Sequence, residues 1–264
     1  NALNSKELEV FVRDYNISQV YHLAAILSAK GEDDPMTTWN LNMNSLFSVL
    51  DLAKNKTIKK VFWPSSISVF GNNSPKNKTD QFSIKEPRTV YGISKLAGER
   101  WCEYYNIRYG TDIRSIRFPG IISSSTLPGG GTTDYAVEVF YSFIRKEIYN
   151  CFLNKDSFLP MIYIDDAIES IHKLMSADKE NLSIKSSYNL SGFSLSPEII
   201  ENELKKIDNS FKVEYSPDFR QKIADSWPDS INDDYARKDW SWNPNFDLKS
   251  TINEMIEKLK IKLK

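Results

Sequence analysis

Cysteine and histidine are nearly absent. The 264 residues hold two of each, Cys102 and Cys151, His22 and His172. Residues so few and so scattered provide neither metal-ligand spacing nor a disulfide framework, and unpaired thiols point to a reducing cytoplasm. An excess of one charge is missing too: 34 Lys plus Arg stand against 35 Asp plus Glu, a net charge of -1. Nucleic acid and anionic membranes therefore find no counter-charged surface written into the composition. The longest apolar run, around VYHLAAILSA, falls far short of the ~20 residues that span a bilayer. The basic ending KLKIKLK reads as the last turns of an amphipathic helix. The opening NALNSKELEV has no basic leader and no apolar stretch, so it is not a signal peptide; it also has no initiator methionine, as expected of a fragment.

Beyond these absences there is a regular alternation. SKELEVFVRDY has helical spacing, with Ser5 as the expected cap. SQVYHLAA reads as a short buried strand, DPMTTWNLNMNSLFSVLDLAKNK as a long helix, and IKKVFWPSSISVFG as a strand running into a polar turn. VYGISKLAGERWCEYYNIRYG is a second long helix stopped by Gly110. TDIRSIRFPGIIS is a strand ending at Pro119; a helix from about Asp134, the strand LPMIYID and the helix DAIESIHKLMSA follow. Strands alternating with helices predict an α/β fold built on a doubly wound parallel sheet. Past about Ser187 the pattern loosens toward a smaller α/β lobe. The expected division is 1–122 as a cofactor-binding core and 123–264 as mainly a substrate lobe, some of whose segments return to the core.

Ligands of open parallel sheets sit beyond the carboxyl ends of the strands. The turns HLAAILSA, PSSISVFG and FPGIIS are thus candidate walls of one site. Between the last two lies YGISK, where Tyr91 and Lys95 share one face of a helix. A tyrosine of pKa about 10 is a poor base at neutral pH. A neighbouring ammonium stabilises its phenolate, and a shift of roughly three units corresponds to about 4 kcal/mol. A serine at the adjacent strand end could hold a substrate hydroxyl against it. By itself the Y-x-x-x-K spacing also describes a helical tyrosine with a solvated lysine.

The series VYHLAA, NMNSL, FWPSSISVFG, YGISKLAGE and RFPGIIS resembles the extended short-chain dehydrogenase/reductase family, over nearly the whole chain. The later segments PGGGTTDYAVEVFY, LPMIYIDDAI and FRQKIADSWPDSINDDYARKDWSWNPNFDL are similar to its short-chain-type L-threonine 3-dehydrogenase branch. The resemblance implies a Rossmann-like core and an NAD-dependent, cytoplasmic enzyme of threonine catabolism that oxidises L-threonine to 2-amino-3-oxobutyrate. It implies Tyr91 as general base, Lys95 as its electrostatic partner and a contact of the cofactor ribose, and Ser66 as the hydroxyl on the substrate oxygen. Leu23, Ala24, Ala25, Asn42, Phe118 and Pro119 would line the cofactor, with Gly120 beside the nicotinamide. The family often has Gly-Thr where Ser45-Leu46 stand. Its glycine-rich phosphate turn and first βαβ portion precede everything in this numbering, which is expected of an incomplete or truncated chain; Asn1 would fall near the adenine. The helices at 38–54 and 91–109 would form a homodimer contact.

Three of the ten glycines stand together at Gly129–Gly131. They follow the Tyr91 helix and lack a P-loop lysine, so they do not form a cofactor phosphate loop. A helix starts just after them, capped by Thr132, Thr133 or Asp134. Its free amides and the threonyl hydroxyls could hold an amino-acid carboxylate; a slack loop with an ordinary cap has the same sequence. With the resemblance added, Thr132 and Thr133 become a substrate clamp facing Ser28. Trp227 either closes over the ligand or packs the small lobe. His22, Cys102 and Cys151 read as packing residues. Two other readings remain: a sugar-nucleotide epimerase or dehydratase on the same scaffold, and a truncated chain that cannot hold NAD.

Overall fold

The computed structural model describes residues 2–263; Asn1, and with it the adenine expectation, lies outside the described residues. The helices are α1 Ser5–Asp14, α2 Ser28–Gly31, α3 Pro35–Lys54, α4 Val90–Tyr109, α5 Tyr135–Arg145, α6 Ile164–Ser176, α7 Pro197–Ile207, α8 Arg220–Ala224, α9 Asp234–Trp240 and α10 Leu248–Lys262. The strands are β1 Gln19–Tyr21, β2 Lys60–Ser66, β3 Ile113–Phe118, β4 Gly120–Ile122, β5 Tyr149–Cys151, β6 Leu159–Tyr163, β7 Tyr188–Asn189, β8 Phe193–Leu195 and β9 Val213–Tyr215.

The main sheet has the order β1-β2-β3-β7 with every pair parallel. Alternation along β2 sends Val61 and Trp63 to one face and Phe62 to the other. On the first face they pack against α3 and α4 residues such as Leu46, Val49 and Cys102. On the second, Phe62 joins Ala167, Leu174, Ala236 and Trp240 of α6 and α9. Apolar layers on both sides give the Rossmann-like α/β arrangement. At Pro119 the chain leaves this sheet, and β4 pairs with β6 in a second one of order β4-β6-β8. Another core gathers α5, α7 and α10 around Tyr135, Phe140, Leu204 and Met255.

Two local expectations change. The first helix is capped by Asn4, whose side chain accepts the amide of Glu7 at 3.2 Å; Ser5 is already helical, so its hydroxyl is not at the cap. The first strand is not buried. Gln19 and Tyr21 are exposed because, among the described residues, β1 pairs with β2 alone, at the end of the strand order. The long helix at 90–109 does end at Gly110, which takes φ +67°, a left-handed conformation that costs glycine little.

Close approach of α4 to β2 fixes the geometry of the site. A Cβ on Gly98 would lie 2.4 Å from the Trp63 ring, and one on Gly92 would lie 2.3 Å from the Ser68 carbonyl oxygen. Only hydrogen fits at either place. The helix therefore lies directly on the strand end that carries Ser65 and Ser66.

Candidate active site

The carboxyl ends of β1, β2 and β3 open onto a cleft of about 330 Å³. The loop after β1 contributes Leu23 and Ala25, the start of α2 contributes Ser28, the end of β2 contributes Ser66, α4 contributes Tyr91 and Lys95, and the junction of β3 and β4 contributes Phe118, Pro119 and Gly120. Thr132, Thr133, Asp134 and Trp227 complete the lining. Of the residues expected here, Ala24 and Asn42 do not line the cleft. Ala24 is exposed. Asn42 instead clamps the cleft wall: its side-chain oxygen accepts the amide of Ile26 at 2.8 Å, and its amide group donates to the Ile26 carbonyl at 3.2 Å.

Burial raises the Tyr91 phenol to about 12, and the nearby Ser66 hydroxyl opposes that rise only in part. The expected acidification by Lys95 is not seen in this state. The lysine Nζ lies 5.4 Å from the centre of the Tyr91 ring and donates to the Pro64 carbonyl at 2.5 Å. Desolvation brings Lys95 itself down to about 7, against the opposing influence of Cys102 and Glu99. Its charge in turn adds to the burial that lowers His22 to about 4; His22 Nε2 rests 3.0 Å from the Ser45 hydroxyl.

The glycine loop folds differently from expectation. Asp134 stands at the cap position of α5 without making a side-chain cap bond. Its carboxylate turns back to accept the amides of Gly129 and Gly131, both at 2.8 Å. Those amides are therefore occupied and do not serve a substrate carboxylate. Thr132 Oγ1 is buried without a hydrogen-bond partner, in a residue on the cleft wall. A buried hydroxyl left so is costly unless a ligand completes it.

Trp227 is buried and also on the wall, so packing and lining coincide. Its loop is held by Lys76, whose ammonium donates to the carbonyls of Asp225 and Trp227, the latter at 2.7 Å. Nothing in the sequence signals that contact. Glu99 and Arg117, 0 % and 1 % exposed, were also missed. Glu99 sits four residues beyond Lys95, on the same helical face, and Arg117 is a charge within a strand whose every position is buried. Both are signals the sequence does carry.

The residues present suit a nicotinamide cofactor. An ammonium has three N–H groups, and among the described residues Lys95 commits one, to Pro64; the others suit ribose hydroxyls. Leu23 and Leu27, 61 % and 58 % exposed on the wall, offer apolar surface to a flat ring. Among the described residues no group of His, Cys, Asp and Glu could hold a metal ion. No helix among them is long and apolar enough to cross a membrane.

A parallel α/β sheet with a cleft beyond the carboxyl ends of its strands has the architecture of nucleotide-cofactor-binding proteins. The profile of the NAD dependent epimerase/dehydratase family matches residues 1–191, and the chain belongs to that family. An uncharacterized epimerase/dehydratase of Staphylococcus haemolyticus is 43% identical over 263 residues, 99% of this chain and 82% of that protein. A partial consensus L-threonine 3-dehydrogenase superposes with a TM-score of 0.97 at 49% identity, covering 99% of this chain and 84% of that one. The holo form of the GalE-like L-threonine dehydrogenase of Cupriavidus necator gives 0.96 at 48%, covering 98% and 84%. UDP-glucose 4-epimerase of Thermotoga maritima, at 18% identity and a TM-score of 0.85 over 100% of this chain and 84% of that one, shares the fold.

Proposed function

We propose that the protein oxidises L-threonine at its 3-hydroxyl to 2-amino-3-oxobutyrate with NAD. The observation that carries this reading is that Ser66, Tyr91 and Lys95 line one small cleft together with Thr132, whose hydroxyl is buried and unpartnered. At about 330 Å³ the cleft is at the small end of ligand sites, which span ~300–1,000 Å³. The identity to threonine dehydrogenases over nearly the whole chain supports the same substrate.

Ser66 holds the substrate oxygen in line with Tyr91. Tyr91 takes the hydroxyl proton as the C3–O bond becomes a carbonyl; this requires its phenolate, which a charged Lys95 would favour against the burial that raises the phenol to about 12. Thr132, Thr133 and Ser28 hold the amino and carboxylate groups, and Trp227 excludes water from one side. Leu23, Ala25, Phe118 and Pro119 cover the cofactor rings. NAD held there would supply the hydride acceptor that oxidation at C3 requires. Asn42 acts on this site through Ile26, by holding the wall in place. Helices α3 and α4 pair two copies of the chain through the exposed face that carries Trp101, Tyr104 and Ile107.

The test is NADH formation from NAD and L-threonine. Tyr91→Phe is expected to lower kcat by about 10²–10⁴, the usual scale for a general base. Absence of NADH with the unsubstituted, folded protein, or full turnover by the variant, rejects the assignment. The family name and the naming of the curated relatives favour a second reading, epimerisation or dehydration of a sugar nucleotide. Conversion of a nucleoside-diphosphate sugar in place of threonine would select it.

A further inference from the structure

Beneath the cleft lies a buried ion pair with no part in the mechanism above. Arg117 donates through Nε to Glu99 Oε1 and through Nη2 to Oε2, both at 2.8 Å. Its Nη1 donates to the Gln81 carbonyl and to Asn189 Oδ1, both at 2.9 Å. Every partner in this cluster is buried. A buried pair of this kind is often no more stabilising than apolar residues of equal volume, so stability alone does not account for it.

The carboxylate has a third partner. Ser65 Oγ donates to Glu99 Oε1 at 2.7 Å. Ser65 stands between two residues of β2 that belong to the site: the Pro64 carbonyl takes the Lys95 ammonium, and Ser66 shares the cleft wall with Tyr91. Tyr91, Lys95 and Glu99 follow one another at four-residue intervals along one face of α4. One helix thus presents base, cation and carboxylate to three consecutive residues of one strand. Arg117, from β3, holds the carboxylate in its orientation.

We propose that Glu99, seated by Arg117, is a positioning residue: through Ser65 it locks the end of β2 in register with α4, so that Ser66 meets Tyr91 and the Pro64 carbonyl meets Lys95. The proposal rests on the reading of Tyr91 as the base only for its effect on turnover; the lock itself is independent of the substrate.

Two variants and two readouts test it. Ser65→Ala removes the hydroxyl and leaves the ion pair intact. The double variant Glu99→Leu with Arg117→Met removes the acceptor without stranding a charge. In both, kcat for threonine oxidation is expected to fall by about ten- to hundred-fold, the scale of a misplacement of up to ~1 Å. KM is expected to stay within about threefold, because contacts made only in the transition state are lost. The second readout needs no substrate. In protein labelled with ¹³C at the tyrosine Cζ, the Tyr91 signal among the 13 tyrosines is identified by its loss in Tyr91→Phe. At neutral pH it is expected to move in both variants while most other tyrosine signals stay in place. A Tyr91 signal that holds its position in folded Ser65→Ala overturns the lock. A moved signal in a protein without threonine activity upholds the lock and rejects the substrate assignment instead.

Discussion

His22 illustrates how burial decides the behaviour of a single side chain. Its pKa falls from 6.5 to about 4, through burial first and the Lys95 charge second. The unfolded chain therefore binds this proton more readily than the native protein. The resulting stability is fully present above pH 6.5 and is lost as the pH falls through about 4, a change of up to about 3 kcal/mol. Urea unfolding midpoints should drop over that window, and His22→Gln, which cannot titrate, should remove this part of the drop. Equal pH slopes for the two proteins would show that His22 contributes nothing. Tyr91 follows the same rule with opposite chemistry: burial, not the nearby ammonium, has the larger effect on the phenol.

At the scale of elements, the site is a meeting of one helix, three strand ends and two loops. Gly98 lets α4 touch β2 and Gly92 lets it touch the turn that follows β2, which no alternation of apolar residues would reveal. The loop carrying Trp227 is tied to the segment after β2: the Lys76 carbonyl accepts the amides of Asp229 and Ser230 at 2.8 and 3.1 Å, and its ammonium holds the carbonyls of Asp225 and Trp227. Lys76→Met should loosen that wall, raising KM for threonine by about three- to tenfold with a smaller change in kcat, since a wall contact serves ground and transition states alike. Steady-state kinetics decide it; an unchanged KM would remove Trp227 from the binding wall.

On the scale of the whole molecule, the two faces of the main sheet are closed by helices, while the outer side of α3 and α4 carries an aromatic row. Phe47, Trp101, Tyr104 and Tyr109 meet edge to face, and Ile107 beside them is 72 % exposed. If this face pairs two copies, Ile107→Glu should convert a dimer to a monomer in sedimentation equilibrium. An exposed site of this kind costs the fold only ~0.5 kcal/mol or less. A protein that is monomeric before substitution rejects the pairing.

Much of this was written in local chemistry. The alternation of apolar residues determined the α/β sheet, the four-residue spacing put Tyr91 and Lys95 on one face, and Gly110 ended their helix. Tertiary structure decided which partner each polar group finds. Asp134 takes the glycine amides, Pro64 takes the lysine, and Arg117 reaches Glu99 while Lys76 reaches Trp227, 151 residues away. Spacing along the chain reports periodicity, which short-range sterics enforce. It does not report desolvation or competition among acceptors, because both depend on what distant segments bring to the same few ångströms.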